Sequence, residues 1–214
     1  MKKKYVLFDL DGTLTDSQEG IINSIIYCLK TLNIAPPSQE ALRPWLGPPL
    51  KESLMTYYDM TEQQALKGVA KFREYFNRQG IFENKLYTGV EPVLQELGRR
   101  GYRLLIATSK PEAAALRIIE HFHLESYFAF VGGATLNDSR TQKGDVIRYV
   151  LETSQITDVS EAMMVGDRMH DVAGAKANGL EVTGVLYGYG TPDELKQAGA
   201  DYIAETAEDI LKFL

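Results

Sequence analysis

Residues 5–17 read YVLFDLDGTLTDS, an apolar run that leads directly into acidic residues. A short apolar run bounded by turn-forming residues is typical of a strand that is buried on both faces, as in a parallel sheet. Asp9 and Asp11 then fall at the carboxyl end of this strand, which is where ligands bind in open α/β sheets. The segment therefore predicts the first strand of a sheet and the start of a functional site.

Similar apolar runs recur at 102–107, 128–131, 162–165 and 182–186, with a last one at 201–203. Helical patterns separate or follow them, at 90–99, 112–122, 144–153, 171–178, 193–198 and 208–214. Alternation of strands and helices predicts an α/β fold with a doubly wound parallel sheet, a Rossmann-like core.

The segment 17–86 interrupts this alternation, because it shows helical patterns and no strand pattern. Ile22, Ile25 and Leu29 share one face of a helix predicted to start near residue 16. Thr61 and Gln64 form a capping box before a second helix, predicted to run to about residue 78. We therefore expect two domains, an α/β core of residues 1–16 and 87–214 and an all-helical insertion of residues 17–86.

The composition narrows the class of protein. The chain has 214 residues, with 23 Lys and Arg against 29 Asp and Glu, for a net charge of -6. This balance argues against a general nucleic-acid binder, which would show a basic face. A single cysteine cannot form an internal disulfide, and no window approaches the ~18 apolar residues of a membrane span. We expect a cytoplasmic protein, monomeric or homodimeric, with neither nucleic acid nor membrane as a partner.

Further polar residues follow the other predicted strands. Asp9 and Asp11 would repel each other unless a cation or a shared proton compensates. Asp167 and Asp171, in the segment GDRMHD at 166–171, come from another strand end. These carboxylates could complete the oxygen-rich cage that Mg²⁺ prefers. A single aspartate at a strand end is more often a helix N-cap, but four of them, with Thr108 and Lys143 nearby, indicate a site.

These residues resemble those of a known family. DLDGTLTDS resembles the first motif, DxDGTxxDS, of the haloacid dehalogenase-like phosphohydrolases, and the resemblance extends through Thr108, Lys143 and GDRMHD in order and spacing. The helical insertion after the first motif resembles the C1-type cap of the subfamily that includes phosphoglycolate phosphatases. The segment GYGTPDEL at 188–195 is also similar to that subgroup.

The resemblance implies a covalent mechanism. Asp9 would attack phosphorus and become an aspartyl-phosphate. Asp11 would protonate the leaving oxygen and then deprotonate the hydrolytic water. Asp9, the backbone carbonyl of Asp11 and Asp167 would hold Mg²⁺, while Asp171 orients the shell around the metal.

The resemblance also implies a phosphate site. Thr108, Lys143 and nearby backbone N–H groups would bind the phosphoryl oxygens. Ser109 would either donate to the phosphate or cap the helix that follows it. Lys110 is expected to be a solvated side chain near the site, and Cys28 is expected in the core.

The remaining positions have simpler interpretations. His170 is expected at the surface or beside the metal shell and not as a ligand. The segment 188–190 lacks the full GxGxxG pattern and is interpreted as a loop, not a nucleotide cradle. Within the insertion, Arg43 and Lys51 could contact substrate. The alternative is that this segment is only a hinge of the cap, with Trp45 buried for packing.

The predicted function is Mg²⁺-dependent hydrolysis of a small phosphorylated metabolite, and 2-phosphoglycolate is the favoured substrate. A 5′-nucleotide or a range of sugar phosphates is the alternative substrate.

Other functions are less favoured. A sugar phosphomutase is one of them, because Leu50 stands where such enzymes commonly have an arginine in the cap. A phosphonatase would need a Schiff-base lysine, for which Lys51 is conceivable. Phosphoacceptor receiver domains lack the DxDGT pair and the insertion, and a non-catalytic binding protein would not need every catalytic position filled.

Overall fold

The computed structural model describes residues 3–47, 49–136 and 139–214 and divides into two compact units. One unit comprises Met1–Asp16 and Leu86–Leu214, and the other comprises Ser17–Lys85. No helix of the described residues is both long enough and apolar enough to span a membrane.

The strands of the first unit form a parallel sheet, which confirms the predicted fold class. In chain order the strands of the protein are β1 (Tyr5–Phe8), β2 (Thr15–Asp16), β3 (Lys85–Leu86), β4 (Arg103–Pro111), β5 (Phe128–Ala134), β6 (Ala162–Gly166), β7 (Glu181–Val185) and β8 (Tyr202–Ala204). Six of them pair side by side in the order β5-β4-β1-β6-β7-β8, and β2 pairs with β3 separately. The prediction that 17–86 contains no strand is therefore wrong at its last two residues.

The helices predicted from the sequence are present with bounds that agree within a few residues, whereas α2 was not predicted as a separate helix. The first unit contains α4 (Val90–Arg99), α5 (Glu112–His121), α6 (Lys143–Thr153), α7 (Met169–Ala177) and α8 (Pro192–Ala198), and the second contains α1 (Gln18–Thr31), α2 (Leu50–Tyr58) and α3 (Glu62–Tyr75). Residues Glu208–Lys212 form a 3₁₀ helix in place of the longer helix predicted at 208–214.

A row of apolar side chains crosses the middle of the sheet. Leu7 of β1 is in register with Leu105 of β4 and with Met164 of β6, and Met164 is in register with Val182 of β7. All four are buried, and they belong to one core cluster with residues of α6 and α7. The continuous apolar runs of the sequence therefore reflect strands that are covered on both faces.

The helical unit is built on the buried face of α1. Ile22, Ile25, Cys28 and Leu29 are buried, so Cys28 is a core residue as predicted. The predicted capping box at the start of α3 is also present. After α3 the chain continues as a single π-helical turn, Phe76–Gly80, where the expected helix ended at about residue 78.

Candidate active site

Four charged side chains meet at the carboxyl edge of the sheet. Asp9 follows β1 directly, Asp167 follows β6, and β1 and β6 are neighbours. Asp171 lies in the first turn of α7, and Lys143 is the first residue of α6. Parallel pairing places these strand and helix ends together, so residues far apart in the sequence form one cluster.

The ammonium group of Lys143 is at the centre of the cluster. Its Nζ lies 2.7 Å from Asp9 Oδ1 and 2.7 Å from Asp171 Oδ1, and it donates to the carbonyl of Ala107 at 2.9 Å. An ammonium has three donors, so all three have an acceptor. Although burial alone lowers the pKa of Lys143, the charges of Asp171 and Asp9 raise it above its usual value. Lys143 is therefore a permanent buried cation whose donors are already in use.

The three carboxylates carry more negative charge than the single positive charge of Lys143 can neutralise. Asp9, Asp167 and Asp171 each offer an oxygen, and these atoms all lie within 4.8 Å of one another. Burial raises the pKa of Asp9 to about 6; Lys143 opposes this rise and Asp171 adds to it. Burial, together with the charges of Asp171 and Asp9, raises the pKa of Asp167 well above its usual value. An excess of buried carboxylate oxygens around a small space is a donor set that fits a hard divalent cation.

Asp167 and Asp171 are each held by backbone groups. Tyr189 donates its N–H to Asp167 Oδ2 at 2.7 Å, and the hydroxyl of Thr13 donates to Asp167 Oδ1 at 3.3 Å. Arg168 donates its N–H to Asp171 Oδ2 at 3.0 Å at the start of α7. Asp171 is the third residue of α7 and not its N-cap, which is Arg168, so the N-cap explanation does not apply to Asp171; its helix-capping contact is additional to its contact with Lys143.

The loop at 188–190 contributes to the site more than sequence interpretation suggested. A Cβ added to Gly188 would lie 2.2 Å from the carbonyl oxygen of Gly12, and one added to Gly190 would lie 2.0 Å from that of Asp167. Backbone atoms cannot yield as a flexible side chain does, so the loop needs glycine at both positions. The available signal was the position of this glycine pair just after β7, at the same edge of the sheet as Asp9.

Asp11 has a partner that was not expected. Its Oδ2 lies 2.9 Å from Nζ of Lys110, whose side chain is only 6% exposed. The prediction that Lys110 is solvated is wrong, because β4 extends through Pro111 and carries Lys110 past the end of β1. The side chain of Asp11 is not a member of the three-carboxylate cluster.

Thr108 and Ser109 have different environments. Thr108 is buried in β4, and its Oγ1 accepts the N–H of Lys110 at 3.2 Å. Ser109 is exposed. The alternative that Ser109 caps the next helix is wrong, because α5 begins at Glu112 with Pro111 at the N-cap and without a side-chain cap. Binding of phosphoryl oxygens by Thr108 and Ser109 stays a prediction.

Arg168 and His170 of the GDRMHD segment lie outside the cluster. The guanidinium of Arg168 pairs with Glu194 at 2.7 Å, and Glu194 also accepts the N–H of Met169 at 2.8 Å. These contacts join the start of α7 to α8. His170 is exposed.

The cations predicted to contact substrate from the insertion belong to the helical unit. Arg43 is exposed in the 3₁₀ helix Glu40–Trp45, and Lys51 of α2 forms an ion pair with Glu62 at 3.0 Å. Trp45 is buried and stacks on Tyr57 with ring centroids 5.1 Å apart. The packing role of Trp45 accounts for its burial, and substrate contact by Arg43 or Lys51 stays a prediction.

Comparisons with known proteins identify relatives over nearly the whole chain. Residues 6–185 match the family model of the haloacid dehalogenase-like hydrolases. A 5′-nucleotidase of Pseudomonas aeruginosa is 40% identical over 191 residues, covering 89% of this chain and 86% of the relative. A tyrosine-protein kinase, PtkA of Mycobacterium tuberculosis, is 36% identical and covers 94% of this chain and 68% of the relative.

Two further comparisons concern the phosphatase subgroup and the fold. A phosphoglycolate phosphatase of Vibrio parahaemolyticus is 27% identical, covering 98% of this chain and 95% of the relative. The crystal structure of a predicted phosphatase from Clostridium acetobutylicum superposes with a TM-score of 0.94 at 44% identity, covering 100% of this chain and 98% of the other.

Proposed function

Because the chain belongs to the haloacid dehalogenase-like hydrolases and is a phosphatase, we propose that it hydrolyses small phosphomonoesters with Mg²⁺ through a phosphorylated Asp9. The observation that carries the proposal is the Asp9 carboxylate, paired with Lys143 and next to the carboxylates of Asp167 and Asp171. A pKa of about 6 leaves Asp9 ionised at neutral pH, which is the form that a nucleophile needs.

The proposed reaction has two steps. In the first, an oxygen of Asp9 forms a bond to phosphorus, the bond from phosphorus to the ester oxygen breaks, and Asp11 gives a proton to that oxygen. In the second, the oxygen of water forms a bond to the phosphorus of the aspartyl-phosphate, Asp11 takes a proton from the water, and the bond from phosphorus to the Asp9 oxygen breaks, which releases phosphate. The sum is hydrolysis of the ester to an alcohol and phosphate, with Asp9 and Asp11 restored.

A divalent metal fits the residues beside Asp9. The side chains of Asp9 and Asp167 and the backbone carbonyl of Asp11 would hold Mg²⁺, with Asp171 steadying the arrangement through Lys143 and the N–H of Arg168. When bound, Mg²⁺ supplies positive charge that offsets the charge of the transferring phosphoryl group.

Lys143 would act mainly by charge and by positioning. Its three donors already reach Asp9, Asp171 and the carbonyl of Ala107. A direct bond to a phosphoryl oxygen therefore requires that one of these contacts be exchanged. We thus propose two roles for Lys143. The first, expected from the sequence, is to donate a hydrogen bond to a phosphoryl oxygen, and the second is to keep Asp9 aligned for attack.

The relatives favour one substrate class over another. The 5′-nucleotidase is 40% identical, whereas the phosphoglycolate phosphatase is 27% identical. We therefore place nucleoside 5′-monophosphates first and 2-phosphoglycolate, the sequence-based expectation, second. Selection of the substrate by the helical unit Ser17–Lys85 is part of the proposal. We also propose the cytoplasm as its location, since its one cysteine is buried and free.

Phosphate release from a panel of substrates tests the proposal. The panel contains nucleoside 5′-monophosphates, 2-phosphoglycolate, sugar phosphates and phosphotyrosine, each assayed with Mg²⁺ and with a chelator. We expect release to require Mg²⁺ and kcat/KM to be highest for one of the first two classes. A parallel assay for transfer of phosphate from ATP to tyrosine addresses the activity for which the kinase relative is named. Release without Mg²⁺, or transfer to tyrosine with no hydrolysis, would contradict the proposal.

The raised pKa values predict how stability depends on pH and Mg²⁺. Asp9 has a pKa of about 6 in the folded chain against an ordinary value of 3.8, so the folded state binds more protons between these values. The stability that protonation contributes is complete below about pH 4 and is lost as the pH rises through about 6. The metal-free protein should therefore gain thermal stability when the pH falls from about 7 to about 5.

Mg²⁺ should have the opposite pH dependence, because it binds ionised carboxylates. Differential scanning calorimetry should show a larger rise in melting temperature on adding MgCl₂ at pH 7.5 than at pH 5.5, at matched ionic strength. Asp167→Asn should abolish this rise, and Asp193→Asn, the same change at an exposed position, should leave it unchanged. A rise that is equal at both pH values would contradict the proposed metal site.

A further inference from the structure

Lys110 lies beside Asp11 at the end of β4. Phe8 of β1 is in register with Ile106 of β4, so Asp11 and Lys110 both lie just beyond the paired part of these strands. The Lys110 side chain is 6% exposed and that of Asp11 is 21% exposed. The N–H of Lys110 donates to Thr108, which ties the backbone of this segment to the buried end of β4. A lysine this well covered by protein is not an ordinary surface side chain.

The two carboxylate oxygens of Asp11 have different partners. Oδ2 lies 2.9 Å from Nζ of Lys110. Oδ1 is buried, and none of the residues in the described ranges donates a hydrogen bond to it. A buried acceptor without a donor is costly, so Oδ1 is held in a position that becomes favourable when another group reaches it. The proposed reaction supplies such a group, first the leaving oxygen and then the hydrolytic water.

We propose that Lys110 is a positioning residue that holds Oδ2 of Asp11, so that Oδ1 is the atom that gives and takes the proton. This inference rests on the proposed function, because it assigns an orientation to the proton donor of that reaction. Lys110 does not need to touch the substrate for this role. The Lys110 ammonium can donate to Oδ2 whether or not Oδ1 carries a proton, so the contact can persist through both steps.

The alternative roles of Lys110 predict different kinetics. If Lys110 bound a phosphoryl oxygen or only supported the fold, its loss would slow hydrolysis of every ester to the same extent. If Lys110 acts through Asp11, its loss matters only where the leaving oxygen needs a proton. p-Nitrophenolate leaves readily without protonation, whereas the alkoxide of benzyl alcohol does not.

The test compares kcat/KM for p-nitrophenyl phosphate and benzyl phosphate, since kcat/KM covers only the steps up to departure of the alcohol. For Lys110→Met we expect a loss of roughly 10²-fold on benzyl phosphate and less than about threefold on p-nitrophenyl phosphate, as general acid catalysis typically contributes 10²–10⁴-fold. Asp11→Asn should show the same selectivity, and the exposed Lys196→Met should change neither value. Because loss of Asp11 also slows the second step for every ester, folding of each variant is checked separately, by a circular dichroism spectrum and a thermal melt like those of the parent.

A double variant completes the test. If Lys110 acts through Asp11, Lys110→Met/Asp11→Asn should be little slower on benzyl phosphate than Asp11→Asn alone. Equal losses on both esters, no loss on benzyl phosphate, or additive losses in the double variant would each overturn the assignment. Failure of the proposed function appears separately, as no phosphate release by the unmodified protein or full activity of Asp9→Asn, and would overturn both.

Discussion

Asp9→Asn should abolish phosphate release, with a loss of roughly 10³-fold or more in kcat on every substrate that the enzyme accepts. Asparagine keeps the size of the side chain and one oxygen acceptor for Lys143, but a neutral amide is a poor nucleophile towards phosphorus. The change also removes one of three crowded carboxylates, so the metal-free variant should be at least as stable to heat as the parent. Loss of activity would then not be a consequence of unfolding.

Trapping the intermediate makes this result specific. The parent enzyme is mixed with ³²P-labelled substrate and rapidly quenched with acid, which should yield labelled protein. Hydroxylamine should release the label from this protein, because it cleaves acyl phosphates. Asp9→Asn should yield none, while Asp193→Asn, the same substitution at an exposed position, should behave as the parent. Labelled Asp9→Asn protein, or near-normal turnover by it, would contradict the covalent mechanism.

Lys143→Met should impair both stability and activity. The substitution leaves Asp9 and Asp171 without the cation that lies 2.7 Å from each of them. Removal of one partner from a buried ion pair typically costs about 3–5 kcal/mol of unfolding free energy. Activity should also fall by roughly 10³-fold, because Asp9 would lose both its alignment and its compensating charge.

Urea denaturation in the presence of a chelator measures the effect on stability. The loss should be smaller at about pH 5 than at about pH 8, because Asp9, whose pKa is already about 6, would take up a proton in place of its lost partner. Adding Asp171→Asn to Lys143→Met should recover part of the stability, and Lys196→Met should cost little. A loss below about 1 kcal/mol for Lys143→Met would show that the ion pairs contribute little.

The sheet and the carboxylate cluster were predictable because each depends on residue type and spacing. The run at 5–8 is apolar throughout because β1 is covered on both faces, and the parallel order then brings Asp167 next to Asp9. The ends of elements were less predictable. β4 continues to Pro111 through an irregular register after Ala107, and no apolar periodicity marks such a stretch.

The missed parts of the site depend on backbone groups and on the reach of long side chains. Tyr189 contributes its N–H, which every residue other than proline has, so its identity gave no signal. Lys110 was expected in solvent because lysine usually is, and only the path of β4 shows that its side chain reaches Asp11. The substrate is harder still to predict, because its selection is proposed to lie in the helical unit, in which Lys51 pairs with Glu62.

The hydrogen bond between Thr13 and Asp167 joins residues 154 positions apart in the chain. During synthesis on a ribosome, Asp9 and Thr13 are made early, but Lys143 of α6, which contacts Asp9, and Asp167, which follows β6 and contacts Thr13, emerge only when most of the chain is complete. Contacts of such long range form late and slowly compared with local ones. A nascent or truncated chain that lacks β6 therefore has Asp9, the proposed nucleophile, but no assembled site. Phosphatase activity would then show that the central strands have paired.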